Sequence, residues 1–487
     1  MLSELEALDY KKIFYWFSEL AKIPHGSGNV TQIADFLEQF AKAHALRYVR
    51  DCADNVIFYK PATKGYEERP TIILQGHMDM VCEKDSDVEH DFLTEGLKLY
   101  LDGDWLRAKG TTLGGDDGIA VAYCLALLSD EELAHPALEC VITTEEETGM
   151  DGAKALDPSL LSGRILLNLD SEEEDTVLCG CAGGMRITGH LPLRWQEAFG
   201  KSLRIEIKNL LGGHSGTEID KNRTNAVRLM TRLLFELKEQ REVLLTDFAG
   251  GKKDNAIPRE CYAVLTVEEN TEEFLEKVKE IAEALCEELR SAEPELLIEV
   301  SYTEEEAAAQ PVLHPLALEK LLFLLLQAPN GVQKESAEIK GLVESSLNLG
   351  IFLLKPEEAE LHWSLRSSKK SYLQFMREKV VYLVEFLGGE AVTGSEYPAW
   401  EYVVASRLRE NYERLYEQEF GRKPVMTVIH AGLECGILSE KLPGLDAISI
   451  GPQMYDIHTP SERLSVSSSV RLYRLVERFL SEGGIML

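Results

Sequence analysis

Apolar positions along the chain follow two different periods, and the change between them divides the sequence. Tyr10 to Ile23 carries Ile13, Phe14, Phe17, Leu20 and Ala21 at helical spacing. Short runs of β character follow at 55–59 (NVIFY), 71–76 (TIILQG), 138–144 (LECVITT) and 164–170 (RILLNLD), with a helix opening near Gly118 between the second and third. Runs this apolar on both faces, alternating with helices, predict a buried, largely parallel sheet.

From about residue 190 stricter alternation takes over, as in 202–210 (SLRIEIKNL) and 359–368 (AELHWSLRSS), interleaved with amphipathic helices such as 271–290. That is the pattern of an α+β layer with one solvated sheet face. The order strand–helix–strands–helix occurs twice between 202 and 388, which points to a doubled insert. After about 395 the first pattern returns: a helix near 404–419, then VMTVIHAG, then LDAISIG (445–451), and a last helix capped by Ser467–Ser469. The expected fold is α/β: a discontinuous, largely parallel-sheet domain with helices on both faces, from 1–189 and 396–487, holding an inserted α+β domain over 190–395.

Composition narrows the function classes. The 487 residues are 45% hydrophobic and 28% charged, a globular balance. With 83 acidic against 51 basic residues the net charge is −32, which argues against nucleic acid and anionic membranes as partners. No stretch reaches the roughly 18 apolar residues of a membrane span. The start, MLSELEALDYKKIF, has acidic residues where a signal peptide has a basic start and an apolar core. Nine scattered cysteines, odd in number and mostly in apolar runs, suit a reduced, cytoplasmic protein. Only Cys179 and Cys181 lie close together, and without a second pair they do not make a structural zinc site.

The ligand-type residues fall in informative places. His77 and Asp79 follow the run at 71–76, Glu145, Glu146 and Glu147 follow 138–144, Asp170 closes 164–170, and His458 sits in the loop after 445–451. Asp116 and Asp117 stand in a glycine-rich turn that opens a helix. In open α/β sheets, sites form beyond the carboxyl ends of the strands. Singly, each residue has a plainer explanation as a satisfied polar group, a solvated charge run or a helix cap. Jointly they bring histidines and carboxylates from four strand ends to one edge. Imidazole with carboxylate suits zinc, with manganese or cobalt as alternatives. Two histidines and three carboxylates exceed the needs of one catalytic zinc and fit two ions about 3.5–4 Å apart sharing a carboxylate, a site for metal-assisted hydrolysis.

The ordered motifs HMDMV (77–81), GTTLGGDDG (110–118), TTEEETGMDGA (143–153), NLDSEEE (168–174), GGHSG (212–216) and HAGLEC (430–435) carry a resemblance over essentially the whole chain. The sequence resembles the two-zinc dipeptidase, aminoacylase and carboxypeptidase superfamily, and within it the aminoacyl-histidine dipeptidase (Xaa-His dipeptidase, peptidase D) group. The resemblance implies a catalytic metal-binding domain and an inserted lid or dimerisation domain that hinges over the site. It implies that His77 and Asp170 hold one zinc, Glu147 and His458 the other, and that Asp116 bridges them. Asp79 is implied as the partner that orients His77 or the catalytic carboxylate, and Glu146 as the general base for a metal-bridging water. His214 is implied to contact substrate, in relatives sometimes across a dimer, while Arg366 and Asn255 are candidates for the substrate carboxylate and Arg223 competes with Arg366. The resemblance further implies a cis bond after Asp116 and a homodimer formed through the insert.

Two departures stand out. Asp117 occupies a position where relatives often carry Asn, and the extra glutamate in Glu145–Glu147 leaves the register to be fixed by Thr148-Gly149-Met150-Asp151-Gly152. The implied activity is hydrolysis of dipeptides, Xaa-His such as β-Ala-His foremost. A second expectation is another amide in the same superfamily, an N-acylamino acid or a tripeptide. The third is a non-catalytic binding protein, which should lack a ligand or the base, whereas every position here is filled.

Overall fold

A computed structural model of the chain describes residues 10–303, 306–482 and 484. The acidic start over 1–9 lies outside the described residues. The chain splits into two compact units: Met1–Cys181 with Trp400–Val428 and Leu433–Leu487, and Ala182–Ala399 with Ile429–Gly432. The junction expected at 189/190 falls inside the strand Gly183–Pro192, which pairs along its whole length with Glu358–Ser367 in the second unit. At the other end the strand Glu390–Tyr397 also belongs to that unit, so the first unit resumes at Trp400.

An eight-stranded sheet forms the first unit. Its centre is parallel: Leu138–Thr143, Ile72–His77, Ile165–Asn168 and Asp446–Ser449 lie side by side in that order. Val56–Lys60 and Arg47–Arg50 continue it antiparallel on one side, and Thr176–Cys181 meets Asp446–Ser449 antiparallel on the other. Both faces are buried, as the apolar runs require. Ile72 and Leu74 join a core with Phe14, Phe17 and the helix Gly115–Leu128. Ile73, Val141 and Leu166, pointing the other way, are equally buried outside that cluster. The helices Asp151–Ala155 and Glu434–Lys441 pack together, with Ala153, Ile437 and Leu438 buried but also outside it.

Three features of this unit differ from the sequence reading or were absent from it. A helix spans Thr31–Ala43, and a four-stranded sheet joins Leu99–Asp102 and Trp105–Ala108 to Met454–Tyr455 and Arg463–Ser465. The last helix, Val466–Ser481, is capped by Ser465, whose Oγ accepts from Ser468 N at 3.2 Å; Ser467 to Ser469 are already helical.

The second unit is built on a ten-stranded sheet. Its middle is the antiparallel meeting of Leu245–Gly250 with Val343–Leu354, where Ala249 faces Leu353 and Gly250 faces Phe352. Outward on one side come Cys261–Val267, Trp195–Lys208 and Leu297–Tyr302; outward on the other come Glu358–Ser367, Gly183–Pro192 and Glu390–Tyr397. The two sides repeat one order, so the insert is doubled. Helices Ala226–Lys238, Thr271–Leu289, Pro315–Gln327 and Lys370–Phe386 supply the core that buries Leu203, Ile205 and Ile207, while the intervening Arg204, Glu206 and Lys208 line the solvated face.

Candidate metal centre

The parallel strands of the first unit end at the same side of the sheet, with His77 opposite Thr143 and Gln75 opposite Asn168. His77 therefore closes one strand while the turn after Thr143 carries the glutamates and the segment after Asn168 carries Asp170. His77 Nε2 lies 3.1 Å from Asp116 Oδ1 and 3.6 Å from Asp170 Oδ1. His458 Nε2 lies 3.2 Å from Asp116 Oδ2 and 2.9 Å from Glu147 Oε1. Asp116 thus turns one oxygen to each imidazole. Bonds of roughly 2.0–2.2 Å at tetrahedral angles put ligand atoms about 3.3 Å apart, so these spacings fit a divalent ion within each group. His77, Asp116 and Asp170 form one such triad and Asp116, Glu147 and His458 the other, each with its ligand atoms within 4.8 Å.

Local backbone makes this possible. The Asp116–Asp117 peptide bond is cis, and Asp116 and Asp117 leave helical geometry within the helix Gly115–Leu128. Asp117 Oδ2 accepts the backbone N–H of His77 at 3.2 Å, so the residue that departs from the family's Asn points down at the strand end. At Glu145 the backbone turns left-handed, φ 55°, and Glu146 and Glu147 open a short helix, Glu146–Gly149, in place of a continued strand. Glu147 reaches His458, and Glu146 groups with His77 and Glu147 within 4.8 Å. Glu145 is directed elsewhere, accepting from Gly28 N at 2.8 Å and Thr148 Oγ1 at 3.0 Å.

Asp79 ties the parts together. Its Oδ1 accepts from Glu146 N at 3.1 Å, its Oδ2 from Ser27 Oγ at 2.8 Å, and its backbone oxygen lies 2.9 Å from His77 Nδ1. It therefore fixes both the imidazole and the turn bearing the glutamates.

Seven ionisable side chains, Asp116, Asp117, Asp170, Glu146, Glu147, His77 and His458, meet here with an excess of carboxylate. Burial pushes Asp170 up to about 6, reinforced by the charge of Asp116 and opposed by His77. Burial likewise drives Glu146 well above the ordinary glutamate range. Hydrogen bonds donated to Asp116 and Glu147 raise His458 to about 11. Cations placed among these groups would relieve the repulsion between the carboxylates, and the donor set fits them.

Two residues at this end of the sheet had no role in the sequence reading. Glu434, fully buried, accepts from Gln75 Nε2 at 2.5 Å and Thr143 Oγ1 at 2.6 Å, and Gln75 in turn accepts from Asn168 at 2.6 Å. Burial pushes its carboxyl up to about 8. Glu462 accepts the backbone amides of Leu113, Gly114, Gly115 and Asp116. The HAGLEC motif contained Glu434 without marking it, and Glu462 carried no signal beyond standing four residues after His458.

In the second unit, His214 and Arg366 come together with His430. Burial lowers the pKa of His214, helped by the charge of Arg366, and the pKa of His430 falls to about 3 through burial, Arg366 and His214. Arg366 is buried, donates to Tyr397 OH at 3.0 Å, and leaves its Nε without a hydrogen-bond partner. Arg223 is otherwise engaged, with Glu218 at 3.1 Å and the carbonyl of Gly212. The backbone carbonyl of Asn255 accepts from Ser215 N at 2.8 Å and braces the GGHSG loop.

Comparison with known proteins finds relatives that span nearly the whole chain. The M20 peptidase dimerisation domain matches residues 205–293. The chain is 36% identical over 487 residues to the cytosol non-specific dipeptidase of Escherichia coli (strain K12), covering 99% of each. It is 32% identical to the crystal structure of aminoacylhistidine dipeptidase from Vibrio alginolyticus, with a TM-score of 0.90 over 99% of both chains. A tripeptidase structure from Staphylococcus aureus shares the fold at a TM-score of 0.56 and 17% identity, over 98% of this chain and 99% of that one. The chain belongs to the M20 metallopeptidases, hydrolases of peptide bonds, in the branch that holds the aminoacylhistidine and cytosol non-specific dipeptidases.

Proposed function

We propose that the protein is a cytoplasmic dizinc dipeptidase that prefers Xaa-His dipeptides such as β-Ala-His. The observation that carries it is Asp116, with one oxygen turned to the His77–Asp170 pair and the other to the His458–Glu147 pair. His77 and Asp170 would hold one ion, His458 and Glu147 the other, with Asp116 shared. When bound, the ions acidify water and polarise the scissile carbonyl. Glu146 takes the proton of the attacking water and returns it to the leaving amine, a task suited to a carboxyl raised by burial. Asp79 holds Glu146 and His77 in place for this. Arg366, with an unused Nε, binds the substrate carboxylate, and His214 meets the charge that develops on the carbonyl oxygen. Asn255 orients the loop that bears His214.

Broad dipeptide specificity is the second reading, favoured by the E. coli relative, a non-specific dipeptidase. A panel of β-Ala-His, Ala-His, Ala-Ala, a tripeptide and an N-acetyl amino acid, run beside metal analysis, separates the two. A strong preference for the histidine dipeptides supports the first, equal rates on Ala-Ala the second. Turnover confined to the N-acetyl amino acid or the tripeptide would contradict both.

The chain acts as a homodimer through the inserted unit. Phe375, Tyr382 and Phe386 share one face of the helix Lys370–Phe386 and are 57%, 71% and 73% exposed. Leu316 and Phe323 do the same on Pro315–Gln327, and Lys320 Nζ donates to Leu387 O, joining the two helices. Exposed apolar surface of this kind is what a second copy would cover.

A further inference from the structure

We propose that Glu462 is a positioning residue for the metal centre: its buried carboxylate gathers the turn Leu113–Asp116 and so fixes the direction in which Asp116 is presented. This rests on Asp116 and His458 being metal ligands.

Glu462 is 3% exposed. Its Oε2 accepts from Leu113 N at 2.7 Å and Gly114 N at 3.1 Å, and its Oε1 from Gly115 N at 2.8 Å and Asp116 N at 3.4 Å. Successive amides turned into one concavity form an anion-binding nest, and here the protein supplies the anion itself. A buried carboxylate is tolerated when charge-assisted hydrogen bonds replace its water, and both oxygens are used in this way. Neither oxygen is therefore spare for an ion.

The paired glycines have a reason in this contact. Gly114 adopts φ +65°, and a Cβ on it would come within 2.8 Å of Met80 Sδ. A Cβ on Gly115 would lie 3.2 Å from both Glu462 Oε1 and Met454 Sδ. The left-handed φ of Gly114 favours glycine, and a side chain on Gly115 would press on the Glu462 carboxylate.

The same loop supplies His458. Asp456 and His458 both have positive φ, 53° and 61°, and Thr459 Oγ1 donates to Asp456 O at 2.7 Å while Glu462 N donates to Thr459 O at 3.1 Å. One short loop thus offers a ligand of the second triad four residues before its end and clamps the bridging residue with that end. A displaced Glu462 would disturb Asp116 and His458 together, which a residue supporting a single ligand would not do.

The test uses the full-length, metal-loaded protein with Glu462→Gln, read against wild type and Asp116→Ala. An amide nitrogen in place of one oxygen faces two N–H donors and opens that half of the clamp. Resistance of bound zinc to a chelator, kcat and KM are measured, with far-UV circular dichroism as the fold control. Glu462→Gln should lose zinc at roughly 10–100-fold lower chelator concentration. Its kcat should recover in excess zinc and its KM should stay unchanged. Wild-type chelator resistance in the folded variant, with only a lowered melting temperature, would overturn the proposal. Asp116→Ala keeping its zinc would instead overturn the ligand reading beneath it. If Glu462→Gln does not fold, Gly115→Ala presses on the same contact: easier zinc loss supports the clamp, and unchanged zinc retention overturns it.

Discussion

The three adjacent glutamates have three different surroundings. Glu145 accepts from Gly28 and Thr148, Glu146 stands beside His77, and Glu147 reaches His458. Glu146→Gln keeps the shape but cannot take a proton, so kcat should fall 10²–10⁴-fold with zinc content unchanged. Glu147→Gln should weaken one metal site, with rate partly restored by added zinc, and Glu145→Gln should change little. Parallel kcat and zinc determinations on the three variants check this, and a dead, metal-replete Glu145→Gln would shift both roles by one residue. The proposed roles rest on the register that Thr148-Gly149-Met150-Asp151-Gly152 fixes in the sequence; Glu434 and Glu462 carried no such signal, since a buried carboxylate is identified by its donors and those are backbone amides or residues hundreds of positions away. His430 offers a pH test of the same kind. Its pKa is lowered to about 3 in the fold from an ordinary 6.5, so the unfolded chain binds a proton that the folded one refuses. Stability from this residue is complete above pH 6.5 and falls as pH drops from there towards 3, by about 1.4 kcal/mol per unit. Replacing it by Gln should flatten the urea midpoint between pH 7 and 5 relative to wild type; parallel curves would contradict the assignment.

Elements with a single dominant period were readable, and those completed by distant pairing were not. The apolar runs at 71–76, 138–144 and 164–170 became central strands because nothing but burial on both faces suits them. The small sheet over Leu99–Asp102, Trp105–Ala108, Met454–Tyr455 and Arg463–Ser465 pairs segments more than 350 residues apart, and its short, mixed strands carry no period of their own. The same sheet frames the loop with His458 and Glu462, so the least legible element borders the most specific chemistry. Helix ends were ambiguous for a simpler reason: four serines crowd Ser465 to Ser469, and only the extended conformation of Ser465 shows which one caps. Ser465→Ala should cost about 1 kcal/mol in urea unfolding, while Ser469→Ala at the helix interior should cost less. Equal losses would count against Ser465 as the cap.

For the molecule as a whole, the change of period near 190 falls inside the strand Gly183–Pro192, whose buried Met185, Ile187 and Leu191 continue the apolar run before it, and the strand Glu390–Tyr397, with no buried residue, gives no apolar signal at the other border. Doubling within the insert was visible in the order of elements, whereas the symmetric meeting at Ala249–Leu353 and Gly250–Phe352 depends on three-dimensional pairing. The exposed Tyr382 and Phe386 give assembly a handle. Light scattering should find a dimer at micromolar concentration, and Phe386→Glu together with Tyr382→Glu should shift it towards monomer without loss of fold. A wild-type monomer would contradict the assembly.

We propose that Asp116 is shared between two ions. The most direct test of this is the zinc stoichiometry of wild type and Asp116→Ala, measured with turnover on the same preparations. Wild type should hold two zincs per subunit and Asp116→Ala fewer, and the variant should show no turnover. Two zincs and a normal rate in Asp116→Ala would contradict it.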